Sequence, residues 1–578
     1  MSKHLRQATE APGRVTGDGG VSRQNVTGDG GELRGLNASD AAEEEVAKAD
    51  GAAQAQSIGR SAALMSVLVV ISRITGFFRT WAQAYAMGAT LLASCYTVAN
   101  NLPNQLYELV IGGMIVTAFL PVYLSVKQRA GREGANAYVS NLLSIVFVLM
   151  GVLTVLCIAF AAQLVWIQSA GTDQSQMADA VYLFRFFAVE VLLYCLSSIA
   201  SGVLNAERDY LWSNAAPIFN NFITIASFLA YPPLSAADPA LGMLVLALGN
   251  PLGVLVQVLM QVPSLRRHGV RITWRIDLHD PAIRETLSIG VPTLVVTVCS
   301  FVTVSVMNTY ALVAEPGAGS SVQYYARLWY TLPYSVLSIP ITTAMFTELA
   351  DRWAHDDIEG YRNGFAHGTS QILFTLMPFM LYLITYAYPL MLLLASGRFT
   401  ADDAQLTATY LRWLSIALPF YGVSTFFQKV FSSMRKMGLF ALANIFASAL
   451  QVAFTALCTG LIGIAAVALG SVLYYISVDI ISFVLIRREL RHVGMREIVS
   501  SAVWGLVLGL VGAVAGGALM RPLLPVALAG GHTVVRVLLA IVACGLVSLV
   551  VTFGAALALR LPQASFMRSA VRRLLHRG

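Results

Sequence analysis

The chain is a succession of apolar runs, each about 20 residues or more, the length a helix needs to cross a hydrocarbon layer about 30 Å thick. Fourteen such runs fall near 60–86, 91–125, 137–163, 178–204, 214–231, 239–263, 284–313, 321–349, 366–394, 405–434, 439–458, 462–486, 498–520 and 532–559. Only 12% of residues are charged, against 57% hydrophobic. A soluble chain would carry about twice that charged fraction. The runs are continuous, not alternating, which excludes a transmembrane barrel and leaves helices, the fold that satisfies backbone groups within each span. The expected fold is an all-α polytopic membrane protein.

The basic residues support this division. Loops numbered alternately separate into a rich and a poor set. The rich set holds Lys127, Arg129 and Arg132; Arg208; Arg266, Arg267, Arg271, Arg275 and Arg284; Arg352 and Arg362; Arg435 and Lys436; and Arg487, Arg488, Arg491 and Arg496. The other set holds Arg398 and Arg521. Cytoplasmic loops retain Lys and Arg, so the first set should face the cytoplasm and an even number of spans should place both termini there. Residues 1–56, with VTGDGG repeated at 15–20 and 26–31, read as a disordered cytoplasmic tail, and 561–578 as a basic one. No secretory signal peptide is expected, because no apolar segment follows a basic start.

An internal repeat organises the spans. FRFFAVEVLLYCLSSIASGVLNAER (184–208) matches LRWLSIALPFYGVSTFFQKVFSSMR (411–435) at Arg185/Arg412, Tyr194/Tyr421, Ser197/Ser424, Val203/Val430 and Arg208/Arg435, all at one offset of 227. Leu102-Pro103 pairs with Leu332-Pro333 at 230. An offset of six spans preserves orientation, so the repeats should be parallel, with an axis along the membrane normal. This divides the chain into an N-lobe over 57–264, a C-lobe over 281–490 and an appendage of two helices over 497–560. Prolines at 103, 121, 217, 251, 292, 333, 340, 378 and 419 interrupt the spans. Such breaks are tolerated at membrane depth beside protein or a wet cavity, which suits a transporter.

Two lobes imply a central cleft, where intramembrane charge can be held. VISRITGFFRT (70–80) carries Arg73 and Arg79 in an otherwise apolar run, and Arg327 would be their counterpart in the second lobe. Arginine is permanently charged and its donor fork suits phosphate. Anionic cargo, most economically a phosphate or diphosphate, is therefore expected. Six residues of straight helix turn 120° beyond whole turns, so the cavity must wrap a wide arc or the helix must bend at Gly76. Arg185 and Arg412 would snorkel or pair with a carboxylate such as Glu190. No nucleotide-binding loop, HExxH or nucleophile–base set is present, so neither enzyme nor cofactor is expected. The six cysteines read as small buried hydrophobes, and the +7 charge, clustered in loops, calls for no nucleic acid.

SRITGFFRTWAQAYAMGA (72–89) and NNLPNQLYELVIGGMIVTAFLPVY (100–123) resemble the first two spans of the MurJ/MviN family of bacterial lipid II flippases. VQYYARLWYTLPYSVLSIPITTAMF (322–346) resembles its eighth span and ASGRFT (395–400) the loop after its ninth. The family lies within the MATE-like exporter superfamily. The resemblance implies a flippase moving a lipid-linked peptidoglycan precursor across the bacterial cytoplasmic membrane by alternating access. Membrane lipids and proteins of cell-wall synthesis would be its partners. It assigns Arg73 and Arg79 as cavity arginines, with Asn104 (of LPN), Ser321 and Arg327 as further substrate-binding residues. Three positions depart from the pattern: Tyr107 replaces a third cavity arginine, Ser94 a carboxylate, and Leu328 follows an arginine displaced by one. These departures favour, as alternatives, a flippase for another polyprenyl-diphosphate-linked glycan or a non-transporting scaffold. Asn308, Asn444 and Asp479 lie where some members are thought to bind sodium, but form no carboxylate cluster, so no metal is expected. GLVLG (505–509) and GAVAG (512–516) read as helix-packing faces.

Overall fold

The computed structural model describes residues 67–109, 119–529 and 533–564, apart from the side chains of 287–294. The expected tails at 1–56 and, from 565, at the C-terminus lie outside the described residues, as do positions 57–66. Among the described residues the regular structure is helical.

The first half comprises α1 (67–87), α2 (Leu91–Tyr107), α3 (Leu120–Ala159), α4 (Ala161–Ile167), α5 (Ala178–Phe187), α6 (Glu190–Ala206), α7 (Tyr210–Ala237) and α8 (Pro239–Arg267). The second comprises α9 (Pro281–Ala314), α10 (Gly319–Pro333), α11 (Ile339–Ala354), α12 (Ile358–Leu392), α13 (Ala401–Ser415), α14 (Leu418–Ser433), α15 (Met437–Ile462) and α16 (Ile464–Leu490). Helices α17 (Met495–Leu528) and α18 (Thr533–Ala558) follow.

Among the described residues, eight helices are long and apolar enough to cross a membrane singly, and the bent pair α5–α6 would make a ninth. The first two expected runs are only partly within the described residues, and several others are broken or polar. Helix α2 has 17 residues with Pro103 inside, and α10 and α13 have 15 each. In α7, Asn214, Asn220 and Asn221 dilute the apolar sequence. Helix α3 merges two helices across a kink at Gly131.

Burial follows the two-lobe pattern. One core gathers Tyr96, Tyr138, Phe184, Phe187 and Phe228; the other gathers Tyr325, Phe365, Phe426, Phe427 and Ile486. The repeat is visible in the backbone. Helices α5–α6 and α13–α14 are both broken pairs, whose last helices end at Ala206 and Ser433, 227 residues apart. At the same offset, Arg208 and Arg435 both turn left-handed, with φ of 61° and 57°. Helix α17 packs on α12 and α18 through Gly509, Gly512 and Gly516. A Cβ at Gly509 would lie 2.7 Å from Pro378 Cα. Tyr382 donates to Thr552 (2.6 Å), and the hydroxyls of Tyr386 and Ser548 pair at 2.7 Å. The six cysteines are free thiols, four of them buried.

At the end carrying Arg398 the lobes are clasped. Arg398 N donates to Tyr85 O (3.0 Å), Tyr325 Oη to Gly88 O (2.8 Å) and Ser94 Oγ to Gly317 O (2.8 Å). Asn308 Nδ2 donates to Gln168 Oε1 (2.8 Å) from α9 to the residue after α4. Three of these acceptors are backbone carbonyls in turns or at a helix end.

Candidate functional site

Beneath the clasp, toward the basic end, lies a cavity of about 570 Å³ between α1, α2, α7, α9 and α10. Arg73, Arg79, Asn104 and Arg327 all line it. Helix α1 contributes Ser72, Arg73, Gly76, Phe77, Arg79 and Thr80, so the cavity wraps a wide arc of a helix that stays continuous from 67 to 87. The displaced arginine of the second lobe, Arg327, also reaches the wall.

Ser321 lies elsewhere. It is fully buried, its hydroxyl donates to Ala318 O (2.8 Å), and its amide approaches Ser94 Oγ (3.3 Å) in the clasp. Its neighbour Ser320 faces the cavity. One helical step turns a side chain by 100°, enough to exchange the two serines. Tyr107 is outside the lining as well: its hydroxyl pairs with Ser198 Oγ at 2.6 Å, while Glu108 lines the wall near Arg327.

Hydroxyl and aromatic groups surround the arginines. Tyr324, Tyr194 and Tyr96 lie around Arg79. Glu190, fully buried at the start of α6, accepts from Asn250 Nδ2 at 3.0 Å on each oxygen, with Tyr194 nearby. Glu190 is thus engaged by Asn250, and Arg185 is exposed. Among the described residues, no carboxylate lies within ion-pair distance (4.0 Å) of Arg73, Arg79 or Arg327.

Carboxamides complete the lining: Asn101, Gln105, Asn220, Asn221 and Gln323. Asn221 Nδ2 donates to Thr75 Oγ1 (2.9 Å), tying α7 to α1. The signal for these was available, because NN at 100–101 and 220–221 are polar pairs inside apolar runs. A second cavity of about 490 Å³, lined mainly by the C-lobe, shares Glu108, Val304 and Arg327 with the first. Asp479 takes the Ser424 hydroxyl (2.6 Å) and Asn444 Oδ1 that of Tyr474 (2.6 Å); Asn308 belongs to the clasp. Among the described residues no group of three His, Cys, Asp or Glu could hold a metal. A charged cavity without paired acids can hold and neutralise an anion.

The family model described as "Lipid II flippase MurJ" matches residues 83–557. A probable lipid II flippase MurJ of Borreliella burgdorferi is 24% identical over 438 residues, 75% of this chain and 84% of that protein. The lipid II flippase MurJ of Burkholderia cenocepacia is 27% identical over 369 residues, 62% of this chain and 70% of its own. Among solved structures, a lipid II flippase MurJ in an inward closed conformation superposes with a TM-score of 0.67 at 16% identity, covering 86% of this chain and 99% of that one. An inward-facing MATE family multidrug transporter superposes at 0.63 and 15% identity, covering 74% and 98%.

Proposed function

The chain belongs to the MurJ lipid II flippase family, and from that premise we propose that it translocates lipid II across the bacterial cytoplasmic membrane by alternating access. The observation that carries the assignment is the cavity in which Arg73, Arg79 and Arg327 converge without an acid in ion-pair range. The diphosphate of the head group enters from the basic end. The guanidinium groups neutralise it, the carboxamides of Asn101, Asn104, Gln105 and Gln323 bond its polar groups, and the polyprenyl tail stays in lipid. Once the charge is compensated, the lobes close at the basic end and part at the clasp. The basic loops and both termini face the cytoplasm, supported by the Lys/Arg asymmetry of the loops. The basic end also offers a surface to proteins of cell-wall synthesis.

The test is complementation. The host's own lipid II flippase is depleted, this chain is expressed, and lipid II exposed on the outer leaflet is measured. Rescue is expected, and Arg73→Ala and Arg79→Ala should each reduce it. If neither does, the diphosphate assignment fails. If the well-inserted wild-type chain gives no rescue, a different polyprenyl-diphosphate-linked glycan, or a scaffold role, replaces lipid II.

A further inference from the structure

The segment joining α8 to α9 alternates strictly: Val270, Ile272, Trp274, Ile276 and Leu278 are apolar, and Arg271, Thr273, Arg275, Asp277 and His279 are polar. A period of two is the pattern of an extended strand with one apolar face. The segment has no partner strand. Instead it is pinned along α3. Ser140 Oγ accepts from Thr273 N (3.1 Å) and donates to Arg271 O (3.3 Å), and Ser144 Oγ accepts from Arg275 N (3.1 Å). Asn141 accepts from Asp277 N (2.7 Å) and donates to Asp277 O (2.8 Å). Side chains of α3 thus replace a neighbouring strand and hold the segment as a fixed strap.

The strap displays what a water-facing loop would hide. Ile272, Trp274, Ile276 and Leu278 are 55%, 67%, 50% and 60% exposed. Trp274 packs edge-on against Phe147 (6.0 Å, 81°), in the stretch where α3 becomes continuously apolar and exposes Phe147, Val148 and Leu149. Between strap, α3, α6 and α8 runs an apolar groove of about 310 Å³, walled by Val139, Leu143, Phe147, Leu196, Val258 and Trp274. Arg266, Arg267, Arg271 and Arg275, neighbours in sequence of the groove residues Leu265, Val270, Ile272 and Trp274, are exposed; Asp277 lies 3.7 Å from Arg275. Aromatic and aliphatic groups at the level of a basic cluster fit the membrane interface, where tryptophan sits among head groups and each cation adds attraction to anionic lipid.

We propose that this strap is a binding site for an anionic phospholipid of the surrounding bilayer. One acyl chain lies in the groove against Trp274 and Phe147, and the phosphate is held by Arg271 and Arg275. The arginines commit the site to an acidic head group, and the open apolar groove commits it to a bilayer lipid.

The test uses the full chain in vesicles containing phosphatidylcholine or phosphatidylglycerol with brominated acyl chains. The Trp274 emission is isolated by difference against Trp274→Phe. Quenching should be stronger with phosphatidylglycerol, and the preference should fall about fivefold per arginine removed in Arg271→Gln and Arg275→Gln. Arg271→Lys/Arg275→Lys should keep it, which separates charge from misfolding. Absence of Trp274 quenching by either lipid, equal quenching by both, or a preference that survives the double Gln variant overturns the proposal. So does displacement of phosphatidylglycerol by equimolar polyprenyl diphosphate, which would reassign the groove to the transported lipid. None of these readouts depends on lipid II transport.

Discussion

Gly397→Ala isolates the clasp from every other part of the fold. Gly397 sits at φ +59°, and a Cβ there would lie 2.4 Å from Tyr85 O, on the opposite lobe. Two costs arise. Left-handed backbone costs an alanine about 1–2 kcal/mol, but that turn is local and persists whether the lobes touch or not, so it cancels from the equilibrium between states. The collision exists only while the lobes are clasped. Relieving it displaces the Tyr85 carbonyl from Arg398 N (3.0 Å), a hydrogen bond worth about 1 kcal/mol net, and loosens the packing around it. The clasped state should lose about 1–3 kcal/mol, a shift of about 5- to 150-fold toward separation. Gly463→Ala is the control: φ is +58° there and nothing lies within 4 Å, so it carries the backbone cost without the collision. Spin labels at exposed Asp173 and Asp402, on opposite lobes at the clasped end, report the separation by pulsed electron resonance. A longer distance population in Gly397→Ala but not in Gly463→Ala is expected. Identical distributions in both, with both folded, would refute the clasp as a determinant of the closed state.

Three further outcomes follow from the same geometry. Arg327→Ala should weaken binding of a polyprenyl diphosphate to purified protein by about 10- to 150-fold, the loss of about 1.5–3 kcal/mol for a charge-assisted contact, and Arg327→Lys should recover part of it. Gly509→Ala should lower the thermal midpoint in detergent by overpacking α17 on Pro378, about 1–3 kcal/mol, whereas Gly545→Ala, with open space around it, should not. At the turn after α6, burial alone would raise the Glu207 carboxyl, but hydrogen bonds from Lys127 (2.6 Å) and Tyr123 (2.7 Å) outweigh it and hold it below the ordinary range. A depressed carboxylate stabilises above its unfolded value and loses that contribution as pH falls through its folded one. Thermal stability should therefore decline below about pH 4.5, the ordinary glutamate value, and Glu207→Gln should flatten that decline in a pH series of melting curves.

The residues legible in sequence were those whose chemistry conflicts with a bilayer. Arg73, Arg79 and Arg327 stand out in apolar runs because water-free burial of a guanidinium is costly, and all three line the cavity. The repeat was legible because Arg208 and Arg435 occupy equivalent turns. Ser320 and Ser321 could not be told apart, since adjacent hydroxyls carry the same sequence signal and only the docking of α10 on α2 decides which faces the cavity. The clasp left little trace, because its acceptors at Tyr85, Gly88 and Gly317 are carbonyls that every residue has. Helix count was blurred where function breaks helices: the short α10 and α13 and the polar α7 are the segments that line or back the cavities.

The symmetry explains why the cations remain available. Tyr194 and Tyr421 are equivalent in the repeat, and each lies beside an arginine, Arg79 in one lobe and Arg327 in the other. A hydroxyl supports a guanidinium without cancelling it. Had a carboxylate stood at 4 Å instead, the pair would be worth about 4 kcal/mol at an effective dielectric of 20, and an entering diphosphate would forfeit about a thousandfold in affinity to displace it. The buried acid Glu190 is held by Asn250 and is not part of the cavity lining. On the proposed cycle, positive charge flanked by phenols and amides stays available to an anion, and meeting that charge is the step that lets the lobes close at the basic end.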